Sequence, residues 1–134
     1  MENNNSFPVP GRALVITPHP DDSELGCGGT VAKWIKQGTE VVYVLCTNGD
    51  KGSSDPDMTS HKLAELRKIE QQKEAEILGV AEVVRLDYED GSLEDTPLFR
   101  GQIVEAIRRF LSLIHISEPT RRYAISYAVF CLKK

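Results

Sequence analysis

No stretch of this sequence approaches the roughly 20 consecutive apolar residues that a membrane-spanning helix needs, so none is expected. The opening residues, MENNNSFPVPGR, have neither the basic n-region nor the apolar h-region of a secretory signal, and a cytoplasmic location is the expectation. Cysteine is scarce and unpaired: Cys27, Cys46 and Cys131 are odd in number and form no CxxC pair, which excludes a disulfide framework and a zinc ribbon. Excess positive charge is also missing. At a net charge of −4 the chain is a poor match for nucleic acid or an anionic membrane surface. Repeats and low-complexity segments are absent as well.

What remains is ordinary for one soluble domain: 134 residues, 40% hydrophobic and 27% charged. RALVITP (Arg12 to Pro18), EVVYVLCT (Glu40 to Thr47) and AEVVRLD (Ala81 to Asp87) are short apolar runs bounded by turn formers. Runs of that kind suit strands buried on both faces. Between them, TVAKWIKQG (Thr30 to Gly38) and Ser60 to Leu78 carry helical periodicity, each ending at a glycine. The second predicts a buried face of Leu63, Leu66, Ile69, Ile77 and Leu78. A third helix is predicted from Thr96 as N-cap, with Pro97 at the first helical position, to about Phe110. The alternation β-α-β-α-β-α predicts an α/β fold, a Rossmann-like parallel sheet with helices on both faces. Such sheets bind ligands beyond the carboxyl ends of their strands, where the two most polar loops fall.

The charge is unevenly distributed. Residues 1–110 hold 12 Lys/Arg against 19 Asp/Glu, whereas residues 111–134 hold 4 against 1. That last stretch reads LSLIHISEPTRRYAISYAVFCLKK. LSLIHISEPTR resembles a direct translation of a transposase-type sequencing adapter, and ISYAVFCL resembles the adapter's far end. Arg122-Tyr123-Ala124 lies where a sample index would sit. The expected organisation is a disordered tail over 1–11, a domain over 12–110 truncated after about three strands, and a non-native tail over 111–134.

The sharpest chemical motif is Pro18-His19-Pro20-Asp21-Asp22-Ser23-Glu24, at the end of the first strand. Imidazole nitrogen and carboxylate oxygen both suit zinc. Restricted by Pro20, His19 and Asp22 could converge on one ion while Asp21 takes a proton from a water that the ion activates. The same four residues also fit a polar strand-end turn with a helix-capping Asp. GCGGT (Gly26 to Thr30) fits neither a dinucleotide fingerprint nor a P-loop, and is read as glycines that let the metal loop approach the helix.

PHPDDSELGCGGT, TNGDKGS, ELRKIEQQKEAEILGV and LDYEDGSLED occur in that order. Together they resemble the PIG-L/LmbE-like family of zinc-dependent N-acetylglucosaminyl deacetylases, over roughly Arg12 to Phe110. The resemblance implies that His19 and Asp22 are metal ligands and Asp21 the catalytic base. It implies that Arg67 contacts substrate, with Asn48, Gly49, Asp50 and Lys51 on the pocket rim. It further implies a Zn2+ cofactor and a small amino-sugar substrate; on the residues alone, two His and one carboxylate with open positions can also hold Fe2+ for oxygen chemistry. On the residues alone, Arg67 is equally well an ion-pair partner of Glu70 or Glu74, and Glu24 a support for the metal loop. The family's third ligand, a second histidine, is expected from farther along the chain. His115 lies in that direction but inside the adapter-like stretch, and His61 opens a helix. The chain as written is therefore expected to be inactive and poorly soluble. A non-catalytic Rossmann-like module for small molecules or nucleotides is the alternative.

Overall fold

Three runs of β-branched and apolar residues fold into β1 (Arg12–Thr17), β2 (Glu40–Thr47) and β3 (Glu82–Tyr88). The computed structural model describes residues 9–110 and the backbone of 114–117. All pairings are parallel, in the order β3-β2-β1-β4. Arg12 pairs with Glu40 and Thr17 with Leu45, so β1 and β2 end side by side.

The apolar runs are continuous because each strand is covered on both faces. Leu14 and Ile16 of β1, with Val42, Val44 and Cys46 of β2, pack against Phe99, Ile103 and Ala106 of α3 (Pro97–Phe110). Ala13, Val15, Val41 and Tyr43 point the other way, onto Val31 of α1 (Asp22–Lys36). Tyr88 of β3 meets Phe99 edge-on, with ring centroids 5.6 Å apart, a favoured aromatic geometry. Cys46 is fully buried, and burial pushes its thiol up to about 12, so it serves as a small core residue.

Caps are set by single residues. The Thr59 side chain accepts from the Lys62 N–H at the start of α2 (Ser60–Leu78). The Thr96 hydroxyl accepts from the Phe99 N–H at the start of α3. Gly79 closes α2 at φ 84°, the left-handed conformation that glycine adopts without side-chain strain.

Three details depart from the sequence reading. First, α1 starts at Asp22, eight residues before the predicted Thr30, and runs through the GCGGT segment. Gly28 and Gly29 are not close-approach points. A Cβ on Gly28 would meet only Glu24 Cβ at 3.8 Å, and one on Gly29 would meet nothing within 4 Å. Each Gly lowers helix propensity by about 1 kcal/mol relative to Ala. That cost is offset by the acidic first turn, Asp22 and Glu24, at the positive end of the helix dipole, and by burial of Ser23 and Val31.

Second, the buried face of α2 is narrower than its apolar residues predict. Leu63, Gln71 and Ala75 are buried, whereas Leu66, Ile69 and Ile77 are exposed, Ile77 at 83%. The helix is turned so that Gln71 enters a polar network beneath the site, which leaves those apolar side chains outward.

Third, the sheet has four strands where three were expected. β4 (Ile114–Ser117) pairs in parallel with β1, from Ala13–Ile114 to Ile16–Ser117. The β1 edge away from β2 offers backbone groups that this short strand pairs with. No helix among the described residues is long and apolar enough to cross a membrane. The predicted tail residues 1–8, and the adapter-like stretch apart from the β4 backbone, lie outside the described residues.

Candidate metal and active site

The site forms where β1, β2 and β3 end side by side. Beyond Thr17 the chain turns through Pro18-His19-Pro20-Asp21 into α1, and this turn is pinned from two sides. Both the Thr47 N–H and the Thr47 hydroxyl donate to the Pro18 carbonyl at 2.8 Å, joining the ends of β1 and β2. The buried Thr17 and Ser23 hydroxyls are 3.3 Å apart.

His19 sits between two carboxylates. Its Nδ1 lies 3.2 Å from Asp22 Oδ2, which also accepts the His19 backbone N–H at 3.0 Å. Its Nε2 lies 3.0 Å from Asp90 Oδ1, on the loop after β3. The imidazole is about half exposed, at 45%, while Asp22 and Asp90 are mostly shielded.

The Nδ1–Oδ2 separation suits a shared ion. Two ligands at about 2.1 Å from zinc, subtending a tetrahedral angle, are roughly 3.4 Å apart. Both donors are of types that zinc accepts, so these residues fit the metal expected from sequence. Among the described residues no three His, Cys, Asp or Glu side chains gather as a metal group. Backbone pairing places His115 opposite Leu14, but its side chain lies outside the described residues.

Asp21 occupies the N-cap position of α1 at φ 82°, a left-handed conformation, and its side chain makes no capping bond. A non-glycine residue held there is strained by about 1–3 kcal/mol. The Asp21 N–H donates to Gln71 Oε1 at 3.2 Å, and Gln71 Nε2 donates to Glu24 Oε1 at 2.9 Å. Gln71 thus ties α2 to the loop and to the start of α1, and Glu24 supports the loop through it. Glu24 Oε2 and the Tyr43 hydroxyl are buried with no hydrogen-bond partner among the described residues. Burial, then the Glu24 carboxylate, pushes the Tyr43 phenol up.

The other expected site residues are split between two cavities. One is lined in part by Pro20, Asp21, Arg67, Gln71 and Glu74. Arg67 Nη1 is 3.2 Å from Glu70 Oε2, the ion pair that its helical spacing allowed. Burial, then the Glu24, Asp21 and Glu70 carboxylates, push the Glu74 carboxyl above its ordinary value, and Arg67 pulls it back. Asn48 and Asp50 line the second cavity, with His61, Lys68 and Arg85. Lys51 Nζ lies 2.7 Å from Glu89 Oε1; that contact raises the lysine and lowers the carboxyl. Lys51 therefore clips the loop after β2 to the loop after β3.

Gly49 is where close approach is real. At φ 67°, a Cβ there would lie 3.1 Å from Pro20 Cδ and 3.7 Å from Arg67 Cγ. Sequence reasoning placed Gly49 on the rim, but missed Asp90. The signal was limited to its place in LDYEDGSLED, 71 residues from His19.

Known proteins match this chain over most of its length. The family model described as "PIG-L: GlcNAc-PI de-N-acetylase" matches residues 14–122. The chain is 42% identical over 106 residues to a diacetylchitobiose deacetylase of Thermococcus kodakarensis, covering 79% of this chain and 40% of that protein. Among solved structures, the N,N'-diacetylchitobiose deacetylase from Pyrococcus horikoshii, complexed with its inhibitor MPG, superposes with a TM-score of 0.73 at 36% identity. That match covers 75% of this chain and 38% of the other. The 4-carboxy-2-hydroxymuconate hydratase GalB from Pseudomonas putida KT2440 superposes at 0.78 with 25% identity, over 91% of this chain and 54% of that one. The chain thus spans about two fifths of the length of the first two relatives. Matching over most of its described length, and placing His19 and Asp22 together at the end of the first strand, the chain belongs to the PIG-L family.

Proposed function

We propose that this domain belongs to a zinc-dependent hydrolase that removes the N-acetyl group of an N-acetylglucosamine-containing substrate, releasing acetate and a free amine. The observation that carries this reading is the pairing of His19 Nδ1 with Asp22 Oδ2 at 3.2 Å, beside an Asp21 side chain free of capping duty. A helix-capping aspartate would have explained the motif without catalysis, and Asp21 does not cap.

His19 and Asp22 would hold the ion, and zinc in that position supplies Lewis acidity toward the acetyl carbonyl and toward the attacking water. Asp21 accepts the proton of that water and, from the mouth of the cavity it shares with Arg67, delivers it toward the departing amine. Arg67, on the same cavity, positions substrate hydroxyl or phosphate oxygens once substrate replaces Glu70 as its partner. Asn48, Asp50 and Lys51 form the rim. A small amino sugar is the partner. The names of the Thermococcus and Pyrococcus relatives support an acetylated amino sugar as the substrate class.

We also propose that residues 111–134 are not part of the native domain, on the adapter resemblance and the inverted charge of that stretch. The test is to read unprocessed genomic DNA across codon 110 and assay the encoded protein for acetate release from N,N'-diacetylchitobiose. Acetate release that disappears in Asp21→Asn supports the reading. The hydratase likeness favours one second reading, addition of activated water to a carbon–carbon double bond. A protein that hydrates an enoic acid and leaves acetamides intact would establish it instead.

A further inference from the structure

We infer that Asp90 is a positioning residue for the metal site: its carboxylate accepts the Nε2–H of His19 and thereby turns the Nδ1 lone pair toward Asp22 and the ion. This rests on the metal reading proposed above. The geometry behind it is the bracket around the ring, with Asp90 Oδ1 at 3.0 Å from Nε2 and Asp22 Oδ2 at 3.2 Å from Nδ1.

A neutral imidazole has one N–H donor and one acceptor nitrogen, and the partner of one nitrogen fixes the role of the other. Both sides of His19 face acceptors, so a neutral ring donates one of the two contacts as a hydrogen bond and turns a lone pair toward the other carboxylate, a gap that a cation fits. Asp22 Oδ2 already accepts the His19 backbone N–H at 3.0 Å. Assigning the ring proton to Nε2 satisfies Asp90 and leaves the Nδ1–Asp22 gap for the ion. Metal-bound histidines commonly donate their second N–H to a carboxylate in this way, which fixes the tautomer and raises ligand basicity.

Asp90 is itself braced. Its backbone N–H donates to Asp50 Oδ1 at 2.9 Å, and the Asp50 N–H donates to Asn48 Oδ1 at 3.2 Å. The Asn48 N–H in turn donates to the Tyr88 carbonyl at 2.9 Å, closing a ring of bonds between the loops after β2 and β3. Through these bonds Asn48 and Asp50 set the orientation of His19 without touching it. Only 20% of the Asp90 side chain is exposed, so its bond to Nε2 competes weakly with water.

The test uses the protein encoded by unprocessed genomic DNA, with 15N-labelled histidine, observed by long-range 1H–15N NMR at mildly alkaline pH and then titrated with zinc. In the metal-free wild type, His19 is expected to carry its proton on Nε2, and zinc to shift the Nδ1 signal. In Asp90→Ala the tautomer preference should weaken and the zinc Kd should rise about 10- to 100-fold. Asp90→Asn, which keeps an acceptor oxygen, should fall between the two. A purely structural role for Asp90 would lower the urea midpoint of both variants and leave the ring tautomer where it was. An Nδ1–H tautomer in the wild type, or a zinc Kd within twofold of wild type in Asp90→Ala, overturns the inference while the metal reading stands. A genomically encoded wild-type protein that binds no zinc overturns both.

Discussion

Individual residues at the centre of this domain are placed at an energetic cost that ordinary turns avoid. Asp21 sits at a positive φ that glycine or asparagine would adopt more readily, and its carboxylate is left free of the helix it begins. Asp21→Asn is therefore expected to leave the unfolding midpoint unchanged or slightly higher while abolishing turnover in the genomically encoded protein. Thermal melts beside the acetate assay check both halves. Tyr43 has a different cost, a buried hydroxyl with no partner among the described residues. Leaving such a group unsatisfied costs about 1–3 kcal/mol, so Tyr43→Phe is expected to stabilise the chain by about 1 kcal/mol in urea unfolding. Gly49 is constrained in the opposite sense. Gly49→Ala combines a left-handed backbone, costing about 1–2 kcal/mol for an L-residue, with a contact 3.1 Å from Pro20. It should lower stability by roughly that amount and weaken zinc binding, because Pro20 adjoins His19. Equal stability and equal zinc affinity in this variant would show that the two loops do not need to meet there.

Among the elements, strands were more legible than helix faces. Continuous apolar runs located β1, β2 and β3 to within one residue because each is sandwiched between helices, leaving no polar face to interrupt the pattern. The start of α1 was hidden by its own glycines, whose low propensity is overridden by the Asp22 and Glu24 first turn and by packing on Val15 and Tyr43. The face of α2 was misread for a related reason. Hydrophobic periodicity favours Leu66, Ile69 and Ile77, but the tertiary role of Gln71, bonded to both Asp21 and Glu24, fixes the rotation of the helix. The same helix carries Glu74, whose raised folded value gives a signed expectation. A carboxyl that holds its proton more tightly folded than unfolded contributes its stability in acid and loses it as pH rises through that raised value. Glu74→Gln should therefore raise the unfolding midpoint at neutral pH, with the advantage shrinking as pH falls into the carboxylate range. An advantage that grew in acid would mean that Glu74 is held ionised by Arg67 rather than crowded by Glu24, Asp21 and Glu70.

At the scale of the whole molecule, the site is assembled by register rather than by local sequence. His19 and Asp22 are three residues apart and could be read from one motif. Asp90 reaches His19 only because β1, β2 and β3 lie side by side and end together. No spacing rule predicts that encounter before the strand order is known. The fourth strand carries the opposite lesson. Residues 114–117 pair with β1 along its free edge, a backbone contact that strand propensity alone can supply. The chain spans about two fifths of the length of its Thermococcus relative.

The most direct test of the central claim is the metal content of the protein encoded by unprocessed genomic DNA, measured beside its His19→Ala and Asp22→Ala variants. The account expects about one zinc, or a substituting divalent ion, per wild-type chain after gel filtration, and its loss in both variants without loss of fold. A wild-type protein that carries no metal, or variants that retain it in full, would contradict the claim that these two side chains form the metal site.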